Sequence, residues 1–153
     1  MKKFKYKMES ILQIKLKLEE QMKIAYGNAR MRLTQEEAKL EQLEGKRDAY
    51  EEELRQLRSN RLDLVKIKQC EQAIDVMKLN IKQQTTAVKN AAHRLEVARI
   101  RLNDAVVERK TQEKLREKAM VEYLLEFDSE ERKEIDELNS FNYSSPAFHE
   151  EDN

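Results

Sequence analysis

Glycine, proline, cysteine and tryptophan are nearly missing from this 153-residue chain, which has two glycines, one proline, one cysteine and no tryptophan. So few turn-forming residues leave a multi-stranded sheet or a loop-built site little to bend with. A lone cysteine, Cys70, rules out an intrachain disulfide and fits a reducing compartment. Four phenylalanines and five tyrosines are too few large side chains for a globular core. Long apolar runs are also lacking, since no stretch approaches the roughly 20 apolar residues that span a bilayer. The opening is basic, but Lys15, Lys17, Glu19 and Glu20 interrupt the aliphatic residues after it and leave no signal-peptide apolar region. A soluble, cytoplasmic protein without a direct membrane span is expected.

Chemistry-bearing motifs are lacking as well. There is no glycine-rich phosphate loop, no cysteine pair and no His-Glu-x-x-His. His93 stands beside the apolar stripe, and its natural reading is a helix-face residue. His149 stands with Glu150, Glu151 and Asp152, a set that needs ordered geometry before it can hold a metal. No catalytic residue, no metal and no cofactor are expected, and the chain does not read as an enzyme.

What the chain does contain is periodicity. Apolar residues recur at Phe4, Met8, Ile11, Leu18, Met22, Ala25, Ala29, Leu33, Leu40, Leu43, Tyr50, Leu54 and Leu57. They recur again at Ile67, Cys70, Ile74, Met77, Ile81, Val88, Ala92, Leu95, Leu102 and Val106, then less tidily at Leu115, Ala119, Tyr123 and Phe127. Steps of three and four mark a coiled-coil seam. This pattern and the scarcity of helix breakers argue against disorder of the main body, despite 39% charged residues. Two successive steps of four at Ala25, Ala29 and Leu33 predict a local relaxation of the supercoil. Gly27 and Gly45 read as weak points in a long helix, with close approach of a partner helix as the sharper reading for Gly27.

The stripe loses phase from Ser59-Asn60 through Val65, where Ser and Asn favour a turn. The expected fold is all-α: a long antiparallel two-helix coiled-coil hairpin with a disordered C-terminal tail. Helix 1 covers about 3–58 and helix 2 about 63–138, roughly 85 and 110 Å long. Residues 139–153 form a flexible acidic tail, in which Phe141, Tyr143 and Phe148 are a candidate docking motif. A parallel dimer of one very long helix is the structural alternative. Because helix 2 is longer, its last turns are expected to project past the N-terminus, leaving Tyr123 to Glu137 uncovered. A two-helix rod has no concave pocket for catalysis, so its function is mechanical or associative.

The 30 basic and 30 acidic side chains cancel, but they are segregated. Residues 1–33 carry nine basic and three acidic side chains, residues 34–54 three and eight, and residues 55–101 eleven and four. Residues 126–153 carry two and ten. Antiparallel folding lays unlike segments side by side. The basic middle lacks stacking aromatics and any DNA-binding motif, so no nucleic-acid partner is expected.

The two ends are more specific. Phe4-Lys5-Tyr6-Lys7-Met8-Glu9-Ser10-Ile11-Leu12-Gln13-Ile14-Lys15 resembles the opening of the flagellar export FliJ family, with aromatics alternating with bases before an aliphatic-basic run. Glu113-Lys114-Leu115-Arg116-Glu117-Lys118, then Tyr123, then Glu131-Arg132-Lys133-Glu134-Ile135-Asp136-Glu137, resembles its close. The turn departs from the family, with Ser59-Asn60 where many relatives carry a glycine.

The resemblance implies a non-enzymatic type III export accessory similar to the central stalk of rotary ATPases. The implied partners are the flagellar export ATPase hexamer, the cytoplasmic part of the membrane export gate, and export chaperones. The implied location is the cytoplasmic face of the membrane at the flagellar base. An ATPase contact is expected at Phe4, Tyr6, Lys7, Met8, Tyr123, Phe127, Arg132 and Lys133. A gate contact is expected at Leu43, Tyr50, Ala73, Met77, Asn80 and Gln84. Competing readings are the stalk of a virulence secretion system, a rotary ATPase gamma or D subunit, and a generic cytosolic coiled-coil tether or nucleoid-associated protein.

Overall fold

The computed structural model describes residues 2–144. Two helices account for nearly all of them: α1, Glu9–Ser59, and α2, Leu64–Ser144. They pack against each other as an antiparallel pair, and no strand occurs among the described residues. By contact the chain separates into two units, one made of Met1–Leu18 with Val106–Asn153 and the other of Glu19–Ala105.

In the Glu19–Ala105 unit the seam is a stricter heptad than the apolar residues alone suggest. On α1 the buried or half-buried positions include Glu19, Met22, Tyr26, Ala29, Leu33, Glu36, Leu40, Leu43, Arg47, Tyr50, Leu54 and Leu57. On α2 they include Ile67, Cys70, Ile74, Met77, Ile81, Gln84, Val88, Ala91, Leu95, Ala98, Leu102 and Ala105. Both runs alternate three and four without interruption, as a left-handed supercoil requires. Several expected seam residues move by one place. Tyr26 replaces Ala25, Ala91 replaces Ala92, and in the other unit Leu12 replaces Ile11. The pair of four-residue steps at 25, 29 and 33 therefore becomes 22, 26, 29, 33, and the sequence basis for a relaxed supercoil disappears. Gly27 and Gly45 face open space, with no atom within 4 Å of a Cβ built on either. Close helix approach at Gly27 is thus corrected to a weak point.

Cys70 is buried on the seam, and its Sγ donates to the Tyr50 carbonyl at 3.1 Å. The link closing this unit is residues 60–63. Ser59 Oγ donates to the Gln56 carbonyl at 2.9 Å, ending α1. Asp63 caps α2 by accepting the Lys66 main-chain N–H on Oδ1 at 3.3 Å, a capping contact three residues on. No described non-glycine residue has a positive φ, so the turn uses no left-handed residue.

Two helix ends differ from the sequence reading. Residues 2–8 are not helical, because α1 starts at Glu9 after a turn in which the Glu9 N–H bonds the Tyr6 carbonyl at 3.2 Å. Phe4, Tyr6 and Met8 are half-buried while Lys3, Lys5 and Lys7 are exposed, a period of two that no helix face can satisfy. Clustered lysines would also face the positive end of the helix dipole. At the other end α2 continues to Ser144, six residues beyond the expected 138. Nothing in residues 139–144 is glycine or proline, so no backbone constraint stops the helix there. Phe141 and Tyr143 are exposed on that helix. Phe148, His149 and the remaining tail residues from 145 onward lie outside the described residues.

Candidate functional site

Two surfaces hold the residues singled out from sequence. The first lies in the unit of Met1–Leu18 with Val106–Asn153. The segment 2–8 runs along α2 and is fastened by its aromatics. The Phe4 ring lies 5.4 Å from Tyr123 at 57°, and the Arg116 guanidinium sits 5.7 Å from the Phe4 centroid. The Tyr6 hydroxyl donates to Gln112 Oε1 at 3.0 Å, and the Tyr123 hydroxyl donates to the Lys2 carbonyl at 2.8 Å. Tyr123 and Phe127 are one helical turn apart, with ring centroids 6.4 Å from each other. Arg116 also pairs with Glu9 across the helices at 2.9 Å, as Lys15 does with Glu108.

Between this segment and α2 lies an open groove of about 1470 Å³. Lys2, Lys3, Lys5 and Lys7 line one side and Glu122, Glu126 and Glu130 the other. The acids recur every four residues, so they stand in one row beside the lysines.

Of the residues expected to contact an ATPase, Phe4, Tyr6, Met8, Tyr123 and Phe127 therefore come together, and Lys7 lines the same groove. Arg132 and Lys133 do not join them; both are exposed further along α2. Tyr123 is not part of an uncovered projection, because Phe4 and Lys2 hold it. Gln112 and Arg116 are absent from the set expected from sequence. Their signal is the α2 heptad itself, which runs on through Arg109, Gln112, Arg116, Ala119 and Tyr123.

The second surface lies in the Glu19–Ala105 unit. Leu43, Tyr50 and Met77 are seam positions, and Ala73 and Asn80 flank the seam, each half-buried. Gln84 is committed to the interior. Its Nε2 donates to Glu36 Oε2 at 2.6 Å and to the Glu36 carbonyl at 2.8 Å. Glu36 is only 5% exposed and also meets Arg32 at 3.0 Å and Lys39 at 3.5 Å. The Gln84 hydrogen bond is the main reason its carboxyl sits below the ordinary value of 4.5; burial opposes this, and Lys39 and Arg32 add to it. No buried side-chain polar atom among the described residues lacks a partner.

No described helix is long and apolar enough to cross a membrane. No group of three or more His, Cys, Asp or Glu residues among the described residues is placed to hold a metal ion.

The same architecture is found in CT670 of Chlamydia trachomatis, a candidate YscO homologue. That structure superposes with a TM-score of 0.70 at 22% identity, covering 92% of this chain and 96% of the other. At this identity the likeness speaks to the fold. A search of curated proteins gave no match. The family described as flagellar FliJ protein matches residues 4–147. That span takes in both helices and the aromatic-basic segment before them, and the chain belongs to the flagellar FliJ family.

Proposed function

We propose that this chain is a non-enzymatic stalk component of the flagellar type III export apparatus. It engages the export ATPase hexamer through the unit that holds its N-terminal segment. Its other unit links that ATPase to the cytoplasmic part of the export gate at the membrane, and it assists export chaperones. The observation carrying this reading is the family match over residues 4–147, which takes in both helices.

For the ATPase contact, support comes from the clustering of Phe4, Tyr6, Lys7, Met8, Tyr123 and Phe127 beside a helix whose continuation is exposed. Arg132 and Lys133 belong to that continuation. For the gate contact, support comes from the row of Ala73, Met77, Asn80 and Gln84, spaced four, three and four, beside Leu43 and Tyr50.

The test is stimulation of the export ATPase encoded in the same genome, using the full chain and a chain ending at Phe127. The cut keeps Tyr123, and with it the anchor of the N-terminal segment. The full chain should raise the hydrolysis rate, and the shortened one should keep its helical content and lose that effect. Equal stimulation by both would move the contact away from residues 128–153.

A further inference from the structure

The link closing the Glu19–Ala105 unit carries an apolar cluster that the chain leaves uncovered. Leu62, Leu64 and Val65 are 69%, 75% and 66% exposed. Coiled-coil burial does not explain them, because they lie between Leu57 and Ile67, the last seam position of α1 and the first of α2. Arg61, Lys66 and Lys68 stand among them, all exposed. None has an ion-pair partner among the described residues, whereas the neighbouring Arg58 is paired with Glu71 at 2.9 Å. The acid nearest this cluster, Asp63, is engaged in capping α2.

A helix docked in a protein groove offers apolar anchors three and four residues apart on one face. Here the apolar residues straddle a link and a first turn, and unpaired cations sit between them. That combination suits an interface where hydrocarbon lies directly beneath phosphates. The stems of Arg61, Lys66 and Lys68 are long enough to keep their charges at phosphate level while Leu62 and Val65 go deeper.

We propose that residues 61–68 dock on an anionic phospholipid bilayer. Leu62, Leu64 and Val65 enter the headgroup–acyl boundary, and Arg61, Lys66 and Lys68 meet lipid phosphates. Each cation near such a surface contributes roughly fivefold in partition, so the three together contribute on the order of a hundredfold. Contact of this strength is reversible. It orients the chain on the membrane without spanning it, and it does not depend on the ATPase or gate contacts proposed above.

The absence of native tryptophan makes the test clean. Full-length Leu62→Trp is mixed with vesicles of phosphatidylcholine alone or with added phosphatidylglycerol. Co-sedimentation and a blue-shifted emission are expected with the anionic vesicles only, both weakening as salt is raised. In the native background, Arg61→Gln/Lys66→Gln/Lys68→Gln should lower partition about a hundredfold. Leu62→Ser/Val65→Ser should abolish it, with circular dichroism showing unchanged helix content in both. Replacing Lys2, Lys3, Lys5 and Lys7 by Gln should leave the Trp shift in place. The proposal is overturned by no partition onto anionic vesicles, by partition the link variants do not alter, or by an unshifted tryptophan in the bound chain. Association of the link with a protein surface in the absence of vesicle binding overturns it too.

Discussion

Gln84 reaches across from α2 and holds Glu36 twice, at its carboxylate and at its main-chain carbonyl. Both residues occupy heptad positions, Glu36 between Leu33 and Leu40 and Gln84 between Ile81 and Val88. A polar pair inside an apolar seam fixes which residues face each other, because sliding either helix by a heptad leaves a buried carboxylate opposite an apolar side chain.

The first prediction rests on that pairing. Gln84→Leu alone should destabilise the hairpin, since Glu36 then loses its strongest partner while staying buried. Glu36→Leu/Gln84→Leu should recover the loss or exceed native stability, because an apolar layer needs no compensation. Urea unfolding of the two singles and the double measures the coupling. A double mutant no more stable than Gln84→Leu would show that the pair does not act as a unit.

Acid should act on the same carboxyl. Its folded pKa is depressed, so the stability it contributes is complete above the unfolded value near 4.5 and is lost as pH falls through the lower folded value. Glu36→Gln should therefore show a shallower loss of stability below that point than the native chain. Urea midpoints on either side of it provide the measurement.

Gly27 and Gly45 each sit in α1 with open space where a Cβ would go and no positive φ. Gly27→Ala and Gly45→Ala should each stabilise the chain by about 1 kcal/mol. The two changes are 18 positions apart and share no neighbour, so they should add. A thermal melt that leaves either variant unchanged would mean something presses on that face in solution.

Phe4 fastens the N-terminal segment through Tyr123 and Arg116. Phe4→Ala removes a ring pair of about 0.5–1.5 kcal/mol beyond its burial. Because residues 2–8 lie outside α1, the effect should be local. Trypsin should cut after Lys5 and Lys7 faster, while the helical melt barely moves. Unchanged cleavage rates would mean the clasp is not what orders this segment.

The helices and the burial of Cys70 are legible in the sequence because apolar spacing encodes them, and the chain reversal near residue 60 because the stripe loses phase at the turn-favouring Ser59-Asn60. The finer register is not. Glu36, Arg47 and Gln84 occupy seam positions, and an apolar reading skips over them, jumping from Leu33 to Leu40 and from Ile81 to Val88. Filling those gaps by heptad arithmetic recovers Glu36, Arg47 and Gln84, and carrying the same arithmetic along each helix moves Ala25 to Tyr26 and Ala92 to Ala91. The N-terminal segment departs from the helical reading for a related reason. Counting Phe4 and Met8 as the start of a helical stripe passes over Tyr6, and the spacing of two that Tyr6 creates already excludes one helix face. Burial across the helices decides such cases, and a single sequence shows only its own half of each contact.

The last prediction concerns the gate-facing row. Leu43, Tyr50 and Met77 pack in the seam and Gln84 is bound to Glu36, so changing any of them disturbs the hairpin as well as a partner. Ala73 and Asn80 flank the seam seven residues apart, on the same face of α2, and neither makes a described hydrogen bond that a substitution would break. They are the two positions where a charge tests the surface with least effect on the fold. Ala73→Glu/Asn80→Glu should retain helix content and unfolding midpoint, yet weaken binding to the cytoplasmic part of the export gate and reduce swimming motility. Gln83→Glu, an exposed neighbour outside this row, should leave both unaffected. If the double variant swims and binds like the native chain, this face is not the gate contact. If Gln83→Glu is equally impaired, the effect is one of added charge and not of this row.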